Sequence, residues 1–235
     1  MTLSGARLTG QDSTGLTEWL RDGDRCQLHP DVIGPLRNLC ERAEAAGLRL
    51  RVASGFRSFA RQLAIWNAKA RGARPVLDDR GQPLDLGALD ERARMHAILR
   101  WSALPGASRH HWGTDIDVWD AAAVPADYRL KLVAEEYAPG GPFFALHTWL
   151  TAELGSAAGF SRPYAADTGG VAPEPWHLSF APVAREFAAR LSPRVLREVI
   201  AAADIELKAV ILADLDHIFA RYLDSARCIP ANDAR

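Results

Sequence analysis

Residues 106–120 read GASRHHWGTDIDVWD and place two histidines and three aspartates within fifteen positions. Residues 114–119 alternate polar and apolar side chains, which predicts a strand with carboxylates on one face. On a straight strand His110 and Asp117 would face opposite ways, but Gly113 allows the backbone to fold back between them. An imidazole and a carboxylate brought together in this way suit a first-row metal. A buried histidine–aspartate hydrogen bond explains the spacing equally well, so this stretch alone leaves both interpretations open.

A second stretch, PEPWHLSF at residues 173–180, adds a glutamate and a histidine three positions apart. The proline after Glu174 favours an extended backbone there, and His177 falls on the short strand predicted next. A zinc hydrolase needs three protein ligands, an open position for water, and a separate base that takes a proton from that water. His110, Asp117 and His177 can serve as the ligands, which leaves Glu174 as the base. The sequence has no HExxH helix, so a thermolysin-like site is excluded.

A third stretch, SGFRSFARQ at residues 54–62, carries an arginine at the turn between a predicted strand and a predicted helix. The guanidinium of Arg57 could stabilise an oxyanion there or hold a carboxylate. A surface arginine in a helix-start turn is the plainer interpretation of this stretch when it is taken alone.

The other histidines predict no site. His29, His96 and His217 have no acid at ligand spacing in the sequence, and His147 lies inside a predicted helix. We interpret all four as structural or surface residues.

Hydrophobic periodicity and turn residues predict helices and short strands along the rest of the chain. Residues 72–87 are rich in Gly, Pro and Asp and predict a loop. Beyond Ser192 a helical period continues to about Asp224, as one long helix or two shorter ones. This extension could pack on its own domain or on a second subunit, and we favour its own domain. The other predicted elements are helices at 30–47, 59–70, 90–104 and 143–158, and strands at 48–52, 114–119 and 176–180.

The three polar stretches, in this order and at these separations, resemble the zinc D,D-carboxypeptidases and D,D-dipeptidases related to vancomycin-resistance enzymes. The wider group includes the zinc-containing hedgehog signalling domain. That family shows SGYRS…Q, then SxHxxGxxxD, then ExWH, and the matching segments here are 54–62, 108–117 and 174–177. The resemblance covers roughly residues 30–190 and leaves the C-terminal helices outside.

The resemblance implies roles for three sets of residues: the ligands of one zinc ion, the catalytic residues, and contacts near bound substrate. The implied zinc ligands are His110, Asp117 and His177. Glu174 is the implied catalytic base, and Arg57 would stabilise the reacting carbonyl. Ser108 and Gln62 would lie near bound substrate.

Two positions depart from the family pattern. Phe56 keeps the ring of the usual tyrosine but lacks its hydroxyl. Asp115 stands where the family usually has a small residue, and it could be the hydrogen-bond partner of a ligand histidine. His111 follows a matched ligand directly and is expected to point away from the metal.

The implied reaction is hydrolysis of the C-terminal D-amino acid, of the D-alanyl-D-alanine type, from peptidoglycan stem peptides or muropeptides. A zinc-bound water would be the nucleophile, with Glu174 as general base and then acid. Other functions stay open: an L,D-carboxypeptidase, an endopeptidase on muropeptides, a zinc-containing module that binds peptidoglycan without turnover, or a metal-free structural domain.

The composition limits the partners of the protein. The chain has 235 residues, with 28 basic and 29 acidic side chains and a formal net charge of -1, which argues against nucleic acid. No apolar run approaches the ~18–20 residues that span a bilayer. The first thirty residues show no signal peptide. We therefore expect a cytoplasmic protein, or a periplasmic one if a leader was removed.

We expect an α+β fold in which a small, mostly antiparallel sheet bears the zinc site and helices flank it. Three segments are predicted: an N-terminal segment at 1–29, a zinc D-Ala-D-Ala carboxypeptidase-like domain at 30–191, and a helical C-terminal extension at 192–235.

Overall fold

The structure, a computed structural model, describes residues 4–79, 81–154 and 159–224. Within these ranges the expected α+β fold is confirmed, since helices flank a four-stranded antiparallel sheet that follows a two-stranded hairpin. The strands are β1 (Thr17–Arg21), β2 (Asp24–Leu28), β3 (Leu50–Ser54), β4 (Asp115–Asp120), β5 (Phe160–Ser161) and β6 (His177–Phe180). The α-helices are α1 (Gly5–Leu8), α2 (Pro30–Ala45), α3 (Phe59–Ala70), α4 (Glu91–Trp101), α5 (Ala134–Tyr137), α6 (Phe144–Leu154), α7 (Ala181–Arg190), α8 (Pro193–Ala202), α9 (Lys208–Ala213) and α10 (Leu215–Ile218).

The four-stranded sheet has the order β3-β4-β6-β5, and each neighbouring pair is antiparallel. Asp117 on β4 pairs with Ser54 of β3 on one side and with His177 of β6 on the other. Directly opposed residues in a sheet have neighbouring side chains. The register of the sheet therefore brings the three polar stretches of the sequence together.

The two faces of β4 have the different characters that its alternating sequence predicts. Ile116 and Val118 are fully buried in a hydrophobic cluster with side chains of α2 and α6. The opposite face carries Asp115 and Asp117, which are also buried. Burying apolar side chains stabilises the fold by about 25 cal/mol per Å² of area removed from water. The apolar face thus anchors the strand, and the carboxylate face is free to form a polar site.

Most predicted elements are present with shorter bounds. The hydroxyl of Ser58 accepts a hydrogen bond from the Arg61 backbone N–H, so α3 begins where the sequence predicted. The helix predicted to reach residue 104 ends at Trp101, and the helix predicted to reach residue 158 is present as far as the described residues go, to Leu154. Residues 155–158 of that prediction lie outside the described residues.

The N-terminal segment supports the loops that carry the polar side chains. The backbone N–H of His29 donates to Gly113 O at 2.8 Å, and the indole N–H of Trp112 donates to Leu8 O at 3.1 Å. The first of these bonds ties the turn at Gly113 to the N-terminal segment. The predicted boundaries at 29/30 and 191/192 stay predictions.

The C-terminal extension is more broken than the one or two helices predicted, and that prediction is wrong. Helices α8, α9 and α10 and the π-helical stretch Phe219–Asp224 follow one another with short breaks. Between α8 and α9 the backbone bonds to α3 instead of continuing the helix. The indole of Trp66 donates to Glu206 O at 3.0 Å, and the amide of Asn67 donates to Asp204 O at 2.9 Å. These tertiary bonds compete with the helical period.

The extension packs on the rest of the chain, as expected. Its apolar side chains share one hydrophobic cluster with those of α3, α4 and α7. Leu196, Ile200, Ile211 and Ile218 are each fully buried there. Among the described residues, no helix combines the length and the apolar character needed to cross a membrane.

Candidate metal centre and active site

His110, Asp117 and His177 form a buried cluster at the middle of the sheet. One ligand atom from each of the three lies within 4.8 Å of the other two. His110 belongs to a short 3-10 helix, Arg109–Trp112, which ends at Gly113 in the left-handed conformation (φ 72°). This turn folds the chain back, so that His110 lies over the strand that carries Asp117.

Hydrogen bonds on the outer side of each imidazole orient the two histidines. His110 Nδ1 lies 2.8 Å from Gly55 O, and since a carbonyl only accepts, Nδ1 carries the proton and Nε2 faces the cluster. His177 Nε2 lies 3.0 Å from Asp115 Oδ1, which leaves Nδ1 directed at Asp117 and Glu174. Metal-binding histidines commonly use such outer partners.

Asp117 lies between the two imidazoles. Its Oδ2 is 3.4 Å from His110 Nε2, and its Oδ1 is 3.4 Å from His177 Nδ1. Ligand atoms bonded at 2.0–2.1 Å to one tetrahedral ion are separated by about 3.3 Å. Oδ1 is buried and has no hydrogen-bond partner among the described residues. An orphaned buried oxygen is costly, so both the spacing and this atom fit a bound cation.

The charges around the cluster favour a cation as well. Burial alone would lower the pKa of His177, but the carboxylates of Asp115, Asp117 and Glu174 outweigh it and hold that pKa well above its usual value. Burial would raise the pKa of Asp117, yet the neighbouring imidazoles hold it below its usual range. The surroundings therefore stabilise positive charge between these side chains.

Asp115 is the outer partner of His177, as its departure from the family pattern suggested. Its Oδ1 also accepts from Arg109 Nε at 2.7 Å, and its Oδ2 accepts from the Thr114 hydroxyl at 2.6 Å. Arg109 donates in addition to Ser179 Oγ at 2.6 Å. Burial would raise the pKa of Asp115, but Arg109 and the other donors hold it below its usual range. The carboxylate is thus ionised and fully bonded behind His177.

Glu174 lies at the open side of the cluster. Its Oε2 is 3.2 Å from His177 Nδ1, and its side chain keeps 20% exposure where the cluster residues keep 4–6%. The Glu174 backbone N–H donates to Tyr164 O at 2.9 Å. A carboxylate that faces both the cluster and solvent can exchange protons with a molecule bound there.

Arg57 lies on the other side, where β3 leads into α3. Its Nη2 is 3.9 Å from Asp117 Oδ2 and 3.3 Å from Ser54 Oγ, and its Nη1 donates to Gln62 Oε1 at 3.1 Å. Its backbone N–H donates to His110 O at 3.1 Å. The guanidinium is therefore held in place and directed at the cluster, with its side chain 25% exposed.

Gln62 and Ser108 are both near these groups and both buried, at 1% and 2% exposure. The Gln62 amide also donates to Ala103 O at 2.7 Å, so its oxygen and its nitrogen are both engaged. Ser108 begins the short helix that carries His110. Their predicted contacts with substrate stay predictions.

His111 points away from the cluster, as expected. Its Nδ1 lies 2.6 Å from Arg57 O, and its Nε2 accepts from the Gly106 backbone N–H at 3.0 Å. Burial lowers the pKa of His111 to about 3, so the ring is neutral at physiological pH.

Comparison with known proteins identifies the family of the chain. The family model of VanY, D-alanyl-D-alanine carboxypeptidase, matches residues 25–183. The chain belongs to this family. An uncharacterized protein of Haemophilus influenzae is 33% identical over 122 residues, which are 51% of this chain and 92% of that protein. A second uncharacterized protein of that species is 46% identical over 77 residues, which are 33% of this chain and 53% of that protein.

Solved structures of the VanY family share the fold. VanYB in complex with D-alanine-D-alanine superposes with a TM-score of 0.50 and 21% identity, covering 83% of this chain and 92% of that chain. At this identity the likeness shows the fold alone.

Sequence reasoning missed three side chains near the site of this VanY-family chain. Arg109 stands inside a family motif, and its only signal was the additional acid at Asp115. The Tyr164 ring contacts the His177 ring, with centroids 5.0 Å apart. Lys69 donates to Ser102 Oγ at 2.6 Å, and the charges of Arg57 and Glu174 act on it. Nothing in the local sequence marks the last two.

The structure agrees with the interpretation of His96 and His217 as structural or surface residues, since His96 is largely buried and His217 is exposed. It adds an acid that the sequence spacing around His96 did not indicate, because the fold places Asp214 Oδ2 3.0 Å from His96 Nε2. A helix and the C-terminal extension, more than a hundred residues apart in sequence, supply these groups.

Proposed function

We propose that this VanY-family chain is a zinc-dependent carboxypeptidase that removes the C-terminal D-amino acid from peptidoglycan stem peptides of the D-alanyl-D-alanine type. The observation that carries the proposal is the cluster of His110, Asp117 and His177, with Glu174 and Arg57 on its two sides. Two imidazoles and one carboxylate are a donor set found in catalytic zinc sites. Membership of the VanY family supports the substrate class.

The three buried residues are the proposed ligands of one zinc ion. The ion would lower the pKa of a coordinated water to about 7 and so supply a nucleophile at neutral pH. His110 and His177 offer their free ring nitrogens because Gly55 O and Asp115 hold the opposite ones. Asp117 offers the oxygen that has no other partner among the described residues.

Glu174 is the proposed base and acid. Its partly exposed carboxylate accepts a proton from the attacking water and later returns it to the leaving amine. Arg57 stabilises the negative charge that develops on the scissile carbonyl oxygen. Gln62 holds the guanidinium for this task, and we propose that it acts on the substrate through Arg57. Ser108 is the proposed direct contact.

The test is a panel of synthetic stem peptides, from tripeptide to pentapeptide, incubated with and without a chelator. We expect D-alanine release from the pentapeptide, loss of release with the chelator, and recovery on addition of zinc. A pentapeptide that ends in L-alanyl-L-alanine is the matched control and should stay intact.

The same panel, with a cross-linked dimer of stem peptides added, separates the other functions. Release from the tetrapeptide alone would indicate an L,D-carboxypeptidase, and cleavage of the cross-linked dimer would indicate an endopeptidase. Binding without turnover would indicate a peptidoglycan-binding module. Release that persists in chelator, with no zinc in the protein, would contradict the metal-dependent mechanism.

A further inference from the structure

A second group of metal-ligating side chains lies outside the VanY site, between α4 and the C-terminal extension. His96 of α4 meets Asp214, which directly precedes α10, and His217 within α10. One ligand atom from each lies within 4.8 Å of the other two. Among the described residues, two groups bring ligand atoms from three such side chains within 4.8 Å of one another: this group and the cluster at the sheet.

The His96 ring is already oriented toward the group. Its Nδ1 lies 3.0 Å from the Tyr222 hydroxyl, and its Nε2 lies 3.0 Å from Asp214 Oδ2. The ring stacks on Tyr222, with centroids 5.8 Å apart and planes 21° apart. A metal-binding imidazole is typically held this way, with one nitrogen on an outer partner and the other directed at the ion.

Asp214 and His217 supply the other two donors from one turn of chain. Residues three apart in a helix lie on the same face, which places the imidazole beside the carboxylate. The His217 ring meets the His96 ring edge-on, with centroids 5.5 Å apart. His217 is exposed while His96 and Asp214 are half-buried, so an ion could enter from solvent.

Arg92 and Arg221, both near this group, oppose a cation. The charge of Arg221 acts on the His96 ring, while its side chain donates to Gly169 O at 2.7 Å. Arg92 donates to Asp214 Oδ1 at 3.0 Å. The Arg92 side chain is 57% exposed, and the Oδ2 atom of Asp214 lies on the His96 side. The guanidinium can therefore stay on one oxygen, or swing into solvent, while the other oxygen binds an ion.

We propose that His96, Asp214 and His217 form a second zinc site that ties the C-terminal extension to α4. Two imidazoles favour zinc over magnesium or calcium, which prefer oxygen ligands. Three protein ligands leave at least one position for water. Because the donors come from elements distant in sequence, binding stabilises the docked extension, and the stabilisation grows with the logarithm of the free zinc concentration above the dissociation constant.

The test counts zinc by elemental analysis after dialysis. We expect two ions per chain in the unaltered protein and one in His217→Gln, whose exposed side chain is dispensable for folding. Asp216→Asn is the matched control, since Asp216 is an exposed acid on the same helix outside the group, and it should keep two ions.

The variant His177→Ala separates the two sites, because it should lose the ion at the sheet and keep the one at the second group. The double variant His177→Ala/His217→Gln should keep neither ion. His110→Ala replaces His177→Ala if the latter fails to fold. Zinc added to the metal-free His177→Ala protein should raise its melting temperature and slow proteolysis of the extension. Introducing His217→Gln into that protein should abolish both effects. The proposal is overturned if His217→Gln binds as much zinc as the unaltered protein, or if the His177→Ala variant binds none. Neither result depends on peptidase activity.

Discussion

At the scale of single residues, the candidate centre depends on the hydrogen-bond partners of the histidine ring nitrogens that face away from the cluster. Gly55 O and the Asp115 carboxylate take one nitrogen of His110 and one of His177, which directs the other two at Asp117. Asp115 is the unusual member, because its charge is matched by a buried arginine and not by solvent. Removing one partner of such a buried ion pair destabilises the fold strongly, because it leaves the other charge buried without compensation.

Mutations of the proposed base and of a proposed ligand should have different effects on turnover and on zinc content. Glu174→Gln is expected to lower turnover by ~10²–10⁴-fold while zinc stays bound, because the side chain moves protons in the proposed mechanism and binds no metal. His177→Ala is expected to lose the zinc of this site itself. Turnover on the pentapeptide and zinc content measure the two effects. Glu174→Gln protein without zinc in the site would contradict the assignment of the base.

Asp115→Asn should weaken zinc binding without touching a ligand. Loss of an outer partner typically lowers metal affinity by about 10–100-fold. The measurement is zinc affinity by competition with a chelating dye, on protein checked for native circular dichroism. Asp120→Asn is the matched control, because Asp120 is a buried acid on the same strand that bonds only backbone N–H groups. Equal zinc affinity in the Asp115→Asn and unaltered proteins would contradict the positioning role.

At the scale of elements, the turn between the 3-10 helix and β4 sets the approach of His110 to Asp117. Gly113 adopts φ 72°, and a Cβ there would lie 2.7 Å from Leu16 Cδ2 and 2.9 Å from the His29 backbone nitrogen. Both a left-handed backbone and close packing against the N-terminal segment therefore favour glycine at this position.

Gly113→Ala should destabilise the fold and lower zinc affinity together. The left-handed conformation costs a non-glycine residue about 1–2 kcal/mol, and the contact with the His29 backbone adds to that. Gly140→Ala is the control, since Gly140 has φ 87° but no atom within 4 Å of an added Cβ. Urea unfolding and zinc affinity are the measurements. Equal losses of unfolding free energy and of zinc affinity in the Gly113→Ala and Gly140→Ala proteins would show that the contact at Gly113 has no part in the site.

At the scale of the whole molecule, the extension shares one hydrophobic cluster with α3, α4 and α7, and Lys69 lies on α3. Trp66 and Asn67, on the same helix, bond the backbone of the extension. Burial, together with the charges of Arg74 and Arg57 and against that of Glu174, lowers the pKa of Lys69 to about 8. The unfolded chain keeps a lysine pKa near ~10.4.

This difference makes the free energy of unfolding depend on pH. Between about pH 8 and ~10.4 the unfolded chain binds more protons at Lys69 than the folded chain, so the contribution of this residue to stability rises with pH. Below about pH 8 the cost of burying the charge is fully present. Lys69→Met should remove this pH dependence and gain on the order of 1–3 kcal/mol over the unaltered protein at pH 7, with the gain vanishing near pH 10.

Urea unfolding at pH 7 and pH 9.5 measures the effect as a difference between the two proteins. Cys26 and Cys40, whose pKa values burial raises to about 11, titrate alike in both and cancel. Lys131→Met, which removes an exposed lysine, is the control and should leave the curve unchanged. A constant difference between Lys69→Met and the unaltered protein at both pH values would contradict the buried charge.

The sequence by itself determined the local elements around the site and the residue types of its chemistry. Ser58 begins a helix through its own hydroxyl, and the alternation around Ile116 makes a strand with one apolar face. Gly113 permits a turn that other residues resist. These are short-range effects, which depend on side-chain shape and neighbours within a few positions and are therefore legible in the sequence.

Only the tertiary structure decided which distant groups meet. The sheet register sets Asp117 between Ser54 and His177, and nothing local specifies that register. The break between α8 and α9 coincides with bonds to Trp66 and Asn67, and the approach of Asp214 to His96 arises from the same docking. Such contacts follow from how the whole chain buries its apolar surface, so no window of neighbouring residues contains them.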